Sequence, residues 1–547
     1  MNRSQRTISI KGRWLEAPDA PQIKAEDLSS AVLDLKRPVA LVEKNGNIVV
    51  QNDGTALLGQ IPDGSTQGFP LLAYVPPLPV ENLGDPMFTR AHNIRYPYIM
   101  GAMANGITST DIVEQAARHG MVGFFGAGGL TTERISQAID RIQKNVGDST
   151  FGFNLIHSPN EPHHEKEVVD LYLKKGVKLV SAAAYMRLTP PLVLYRIKGI
   201  HKDAQGRVIC PNKVIGKVSR TEVARRFFSP PPEKIVRELL EQNLISAEEA
   251  ELSKKIPMAE DLSAEADSGG HTDNRPALAL FPTMMALRRE MMGTYGYETP
   301  LRVGLGGGIA TPESAAAAFS MGAAYLLTGS VNQSCVEAGT SAAVKKMLCE
   351  TEQADVIMAP SADMFEMGVK VQVLKRGTMF ALKAAKLYEY YRTFNSLDDL
   401  PSSVVDELEK KFFHNSVAQE WENTATFFEK RDPRQNERAR KDPKHKMALL
   451  FRSYLGRASM WAVTGEPGRV IDYQVWCGPA MGAFNEWVKG SFLEQAENRH
   501  VAVIAMNLLV GASYVTRLNS LRQQGISLSD KELSYRPLAM DRLHLIV

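Results

Sequence analysis

The stretch LRVGLGGGIATPESAAAAFSMGAAYLLTGS, residues 301–330, decides how the rest of the chain is read. It opens on a short apolar run that ends in three glycines, and then its period changes. TPESAAAAFSMG has Thr311 where a helix N-cap belongs, Pro312 at the first helical position and Glu313 in the first turn. A second apolar run, AAYLL, follows and also ends in small residues, TGS. Strand, glycine turn, helix, strand is the unit of a parallel sheet with helical crossovers.

The same unit repeats upstream. PYIMGAMA (97–104), MVGFFGAGG (121–129), FGFNLI (151–156), VKLVSAAAY (177–185), NKVIGKVS (212–219) and DLSAEADSGG (261–270) read as strands. STDIVEQAARHG (109–120), TTERISQAIDRIQKNV (131–146), EKEVVDLYLKKG (165–176), TEVARRFF (221–228) and PALALFPTMMALRREMM (276–292) read as helices. YRIKGIHKDAQGRVIC (195–210) reads as a hairpin excursion, and 230–258 as an inserted helical pair. Eight strands in about 230 residues predict a (β/α)8 TIM barrel in an α/β chain. A doubly wound sheet fits less well. The glycines come after strands six to eight rather than after the first, and GLGGGI lacks the last glycine of G-x-G-x-x-G because Ile309 stands there.

The expected organisation is a small N-terminal module (1–84), the barrel (85–344) and a mainly helical C-terminal region (345–547). With 44% hydrophobic and 23% charged residues the chain is globular, and a net charge of +3 gives no push toward nucleic acid. Cys210, Cys335, Cys349 and Cys477 are far apart and form no CxxC, so no disulfide framework or zinc cluster is expected. The first 20 residues lack the apolar core of a leader, and no apolar run reads as a membrane span. A cytoplasmic protein is the expectation.

In such barrels chemistry collects where strands end. The ends here are GAMA, GAGG, FNLI, AAAY, GKVS, EADSGGH, GLGGG and LLTGS. GGGI after strand seven and TGS after strand eight expose backbone N–H groups near helix starts, the usual phosphate seat of the fold; tight turns are the plainer reading. EADSGGHTDNRP (265–276) places His271 behind a double glycine. A histidine there serves proton transfer or caps the next turn. Asp267, Asp273, Asn274 and Arg275 fix the loop, or Asp267 and Asp273 join His271 as metal ligands, although no fourth ligand spacing is seen.

These stretches, with GAMANGI (101–107), GGGIATPE, AAYLLTGSVNQSCVEAGTS (323–341), MAPSADMFEMGVKVQVLKRGTMF (358–380), DPKHKMAL (442–449) and DYQVWCGPAMGAFNEWV (472–488), resemble the nitronate monooxygenase and FabK-type superfamily, and within it the PfaD family of trans-acting enoyl reductases of polyunsaturated fatty acid and polyketide synthases. The resemblance runs from about residue 85 to the end. It implies FMN at the barrel mouth, with Ala102, Met103 and Ala104 along the ring, Asn154 at its edge, Lys217 near the N1–C2 region, Gly269 and Gly270 passing close to it, and Gly307, Gly308, Thr328, Gly329 and Ser330 around the phosphate. It implies His271 as the catalytic residue, NADPH or NADH as hydride donor, an acyl carrier protein as partner and no metal. A nitronate-type flavin oxidase and a non-catalytic scaffold of the synthase are the alternatives, and a homodimer is left open.

MAPSADMFEMG reads as a lid. EKRDPRQNERARKDPKHK (429–446) carries eight Lys or Arg against four acids. It is a solvated face, or a dock for an acidic carrier through Arg438, Arg440 and Lys444.

Overall fold

The computed structural model describes residues 10–17, 27–59, 68–157 and 162–547. Eight parallel strands close the barrel: β1 (Tyr98–Met100), β2 (Val122–Phe125), β3 (Gly152–Ile156), β4 (Leu179–Ala183), β5 (Lys213–Val218), β6 (Asp261–Glu265), β7 (Arg302–Gly306) and β8 (Leu326–Thr328). Each pairs with its neighbour in chain order, and β8 closes on β1 through Leu326–Tyr98 to Thr328–Met100. All eight lie inside the runs named from sequence. The caps explain why the chain turns where it does. Ser109, Thr131 and Thr311 each accept a hydrogen bond from a backbone N–H of the following first turn.

Two sequence expectations need correction. The run 195–210 is not all hairpin. Residues 195–197 end a helix, Pro190–Ile197, capped by Thr189, and only His201–Lys202 pairs with Val208–Ile209. The helix shows little amphipathic pattern because Leu192 to Ile197 are all buried. The second correction is Val501–Gln523. By length and composition this 23-residue helix, whose apolar 18-residue window has mean hydropathy 1.6, could cross a membrane, but 94% of that window is buried inside the protein.

The barrel floor is sealed by the helix Pro86–His92, with Asp85 as its N-cap and Pro86 at N1. Phe88 stacks on Tyr325 at 4.1 Å. His92 Nε2 lies 2.9 Å from Asp261 Oδ2, and Arg302 reaches both Asp261 oxygens at 2.6 and 2.8 Å. Asp261 and Arg302 open β6 and β7, so this buried charge network stands opposite the mouth.

The N-terminal module is a five-stranded antiparallel sheet spanning Gly12–Glu16 to Phe69–Val75. Helix Val501–Gln523 binds it to the barrel. Arg517 donates to the carbonyls of Val32, Asp34 and Arg37, while Gly511 packs so closely on Pro312 that a Cβ would sit 2.7 Å from Pro312 Cγ. The C-terminal region also contains a hairpin, Val356–Pro360 with Lys370–Leu374, whose second strand pairs with Gly270–His271. Of the first 20 residues, on which the leader reading turned, 1–9 and 18–20 lie outside the described residues.

Candidate active site at the barrel mouth

The double glycine before His271 is explained by packing against the chain's own C-terminal segment. A Cβ on Gly269 would lie 2.9–3.0 Å from the backbone N, Cα and C of Cys477. Gly478 makes the reciprocal approach, 2.8 Å from Gly269 N. Gly270 has φ +79, the left-handed region glycine enters freely. Gly269 therefore packs directly against the Cys477 backbone. Gly269→Ala should destabilise the protein by about 1–3 kcal/mol, measured by denaturant titration, because backbone must move to admit the methyl group.

The lid expectation meets a hairpin that zips onto the loop of residues 265–276. Gly270 pairs with Gln372 and His271 with Val371. Gln372 Nε2 donates to Asp267 Oδ1 and to the Ser268 carbonyl, both at 2.7 Å. Asn274 donates to the same Asp267 oxygen at 2.8 Å, and Asp273 receives two bonds from Arg220, at 2.8 and 2.9 Å, and one from Ser219 at 2.5 Å. Asp267 and Asp273 thus fix the loop. Among the described residues no group of three His, Cys, Asp or Glu is arranged to hold a metal.

His271 does not stand alone. Its Nε2 lies 3.1 Å from Asp363 Oδ1 and 3.2 Å from Ser361 Oγ, both on the turn of the hairpin. The ring is exposed, with 41% of its side chain open to solvent. Crowding by protein opposes the imidazolium, but the hydrogen bond and charge of Asp363 outweigh it and raise His271 above the ordinary imidazole range. Crowding likewise pushes the Asp363 carboxyl up, and His271 and Ser361 more than reverse this, holding it at about 2. Lys217 and Glu265 are the other charges that act on His271. Sequence reading missed Asp363 and Ser361: 92 residues separate His271 from Asp363, and no spacing rule joins them.

The other expected residues divide. Ala102, Met103 and Ala104 follow β1 and are half-buried, with the Met103 amide and carbonyl both held by Thr108. Asn154 on β3 accepts from the Ala127 and Gly128 amides at 2.7 and 3.2 Å, which leaves its NH2 to donate elsewhere. Lys217 is no isolated cation: Nζ lies 2.6 Å from Glu265 Oε1, which also accepts from Ser268. A Cβ on Gly308 or on Gly329 would meet open space, so the backbone after β7 and β8 offers an uncovered ledge. Gly307 supports it from φ +85, against Ala266. Ser330 Oγ accepts from the Gly478 amide at 3.1 Å. Thr328 is buried, its hydroxyl bound to Tyr98 and Asn332.

The C-terminal helices roof this mouth. Asn105 beyond β1 donates to Ser459 at 2.8 Å, His163 beyond β3 lies 3.0 Å from Arg434, and Arg452 donates to the Ala362 carbonyl on the hairpin turn at 3.0 Å. A hollow of about 960 Å³ lined by Ser320, Thr516, Asn519, Arg522 and Ile526 lies elsewhere, on the outer helices, and contains none of the expected site residues.

Comparison with known proteins agrees with this architecture. Residues 85–390, more than half of the chain, match the nitronate monooxygenase family model, and residues 394–473 match the inserted helical domain of [acyl-carrier-protein] S-malonyltransferase. A polyunsaturated fatty acid synthase polypeptide of Thraustochytrium sp. is 42% identical over 528 residues, 95% of this chain and 34% of that protein. The polyketide biosynthesis protein PksE of Bacillus subtilis is 45% identical over 446 residues, 81% of this chain and 58% of that protein. The chain thus spans between one third and three fifths of the length of these curated relatives. The crystal structure of the enoyl reductase domain of MlnA, from the macrolactin cluster of Bacillus amyloliquefaciens, is 40% identical with a TM-score of 0.78, covering 82% of this chain and 100% of that one. The chain belongs to the nitronate monooxygenase family, in its enoyl reductase-like branch from polyunsaturated fatty acid and polyketide synthases.

Proposed function

We propose that this chain is an FMN-dependent enoyl reductase that uses NAD(P)H to reduce 2-enoyl thioesters carried by an acyl carrier protein, working in trans with its synthase. The observation that carries the reading is the His271–Asp363 pair, set beside an open glycine ledge at the mouth of a barrel of this family. The residues present fit a flavin mononucleotide. The Gly307–Gly308 and Gly329–Ser330 backbone suits its phosphate, and Ala102 to Ala104 with the Asn154 NH2 suit a flat ring with a polar edge. A bound flavin supplies the hydride relay from NAD(P)H to the β-carbon of the substrate. His271 supplies the proton. With Nε2 facing Asp363, Nδ1 is the nitrogen that gives its proton to the α-carbon, and the proton on Nε2 stays toward the carboxylate. Lys217 and Glu265 set the field around this step.

The pH dependence follows in sign. The proton-bearing form of His271 is the active one, and its pKa is raised. Thioester reduction should therefore hold through neutral pH and fall as pH rises past that raised value. Asp363→Asn removes the group that raises it, so the alkaline limb should move to lower pH while the acid side stays flat. A pH–rate profile of kcat checks this, and an unmoved limb would free Asp363 from the role.

The match of residues 394–473 to a helical domain from a carrier-protein transferase supports carrier docking on the roof. Arg438, 65% exposed, and the exposed Arg440 and Lys441 lie on the helix Pro433–Lys441. Lys444, expected from sequence to share this role, is instead spent on the Tyr391 and Phe394 carbonyls and sits over the Tyr391 ring. Reversing Arg438, Arg440 and Lys441 to Glu should raise KM for a carrier-bound crotonyl group and leave a crotonyl-pantetheine substrate unchanged. The reading as a whole is tested by mass spectrometry of a crotonyl carrier protein after incubation with enzyme, FMN and NADPH. A butyryl carrier supports it, and unchanged crotonyl carrier contradicts it.

A further inference from the structure

A second carboxylate–imidazole pair lies on the barrel rim, and the mechanism above does not use it. Glu165, on the helix after β3, has a side chain only 2% exposed. It accepts from three donors: the Tyr185 hydroxyl at 2.9 Å, the Thr189 hydroxyl, and Nδ1 of His157 at 2.9 Å. His157 directly follows β3 and Tyr185 follows β4, both at the strand ends where barrels of this type place their chemistry. The two rings stack at 5.5 Å. Between β4 and Tyr185, Ala184 is held at φ +63, a left-handed conformation a residue with a Cβ adopts at a cost. Tyr185, the next residue, donates its hydroxyl to the Glu165 carboxylate.

With Nδ1–H donating to Glu165, the neutral ring turns its Nε2 lone pair outward. Among the described residues Nε2 has no partner, and the side chain is 20% exposed. A purely structural staple needs only the Nδ1 side of the ring. Beyond β3, His163 meets Arg434 of the roof, and beyond β4, Met186 stands 51% exposed, so the pair lies at the strand ends beside a contact between barrel and roof.

We infer that His157 is a ligand-binding residue whose Nε2 accepts a hydrogen bond from an amide N–H of a molecule bound at the mouth. The choice of ligand rests on the enoyl reductase reading. That reading brings two amide-bearing molecules to the barrel mouth, the pantetheine arm of the thioester and the carboxamide of the nicotinamide. His157 positions one of them; the proton for the α-carbon still comes from His271.

The test is isothermal titration and steady-state kinetics of FMN-loaded wild type, His157→Phe and His157→Gln. The Phe variant keeps a ring on Tyr185 and removes Nε2; Gln can meet Glu165 with its NH2 and offer an oxygen outward. The probes are crotonyl-pantetheine, S-ethyl crotonyl thioester, which has no amide, and NADPH. Losing one hydrogen bond should weaken the amide-bearing probe about tenfold in the Phe variant, with partial rescue by Gln and no change for the S-ethyl thioester. Loss confined to crotonyl-pantetheine names the arm, and loss confined to NADPH names the nicotinamide. Unchanged affinity for both overturns the inference. If the Phe variant does not fold, His157→Asn takes its place under the same criteria. Because titration reads binding without turnover, a protein that binds these probes through His157 but never reduces the thioester would sink the enzyme reading and leave this site standing.

Discussion

His271→Gln should fold, bind flavin and still lose its band on adding NADPH, yet reduce a 2-enoyl thioester about 10²–10⁴-fold more slowly. The side chain would keep a polar group near Asp363 and Ser361, so the Gly270–Gln372 and His271–Val371 pairings, which are backbone contacts, would survive. What is lost is a proton at Nδ1. Stopped-flow absorbance separates the halves: bleaching by NADPH at the wild-type rate, and return with crotonyl-pantetheine slowed by at least a hundredfold. A variant slowed equally in both halves would mean His271 serves binding or architecture rather than protonation.

The largest effect on stability is expected at the other end of the barrel. Asp261→Ala should cost about 3–5 kcal/mol, because it strands Arg302 and His92, whose side chains are 2% and 1% exposed. Arg302 holds the Asp261 carboxyl well below the usual carboxylate range against the opposing effect of burial, aided by His92. The sign of the pH dependence follows. A depressed carboxylate gives stability that is present above its unfolded value, near 4, and is lost as pH falls through that range toward its folded value. Wild type should therefore lose stability on acidification faster than Asp261→Ala, and urea titrations at pH 7 and pH 4 should show the gap between them narrowing. A gap that widens at low pH would contradict the assignment.

The barrel was legible because its signals are local. Thr311, Pro312 and the glycines after β7 and β8 announce a strand–turn–helix unit in one short window, and the same chemistry recurs at Ser109 and Thr131. His271 was legible for the same reason, as the polar residue after a glycine pair at a strand end. The reason for that pair was not. Gly269 is small because Cys477 lies against it, more than 200 residues away, and sequence alone carries no sign of such an approach. Asp363, Ser361 and Gln372 were hidden likewise, since they reach the loop only through pairing of the Lys370–Leu374 strand. The helix Pro190–Ile197 escaped because burial on every side erases the periodicity by which helices are read. Lys444 misled in the opposite direction: a cation in a charged run looks solvated, and this one is bound to two carbonyls.

The central claim is a redox cycle that joins NAD(P)H to an enoyl thioester at the His271–Asp363 mouth. The measurement that tests it most directly is the anaerobic absorbance spectrum of FMN-loaded protein, first with NADPH and then with crotonyl carrier protein. The account predicts a flavin band that bleaches with NADPH and returns with the thioester in the absence of oxygen. A band that returns only when oxygen is admitted would make the protein an oxidase of the nitronate type, and no flavin band after loading would leave a scaffold; either result contradicts the account.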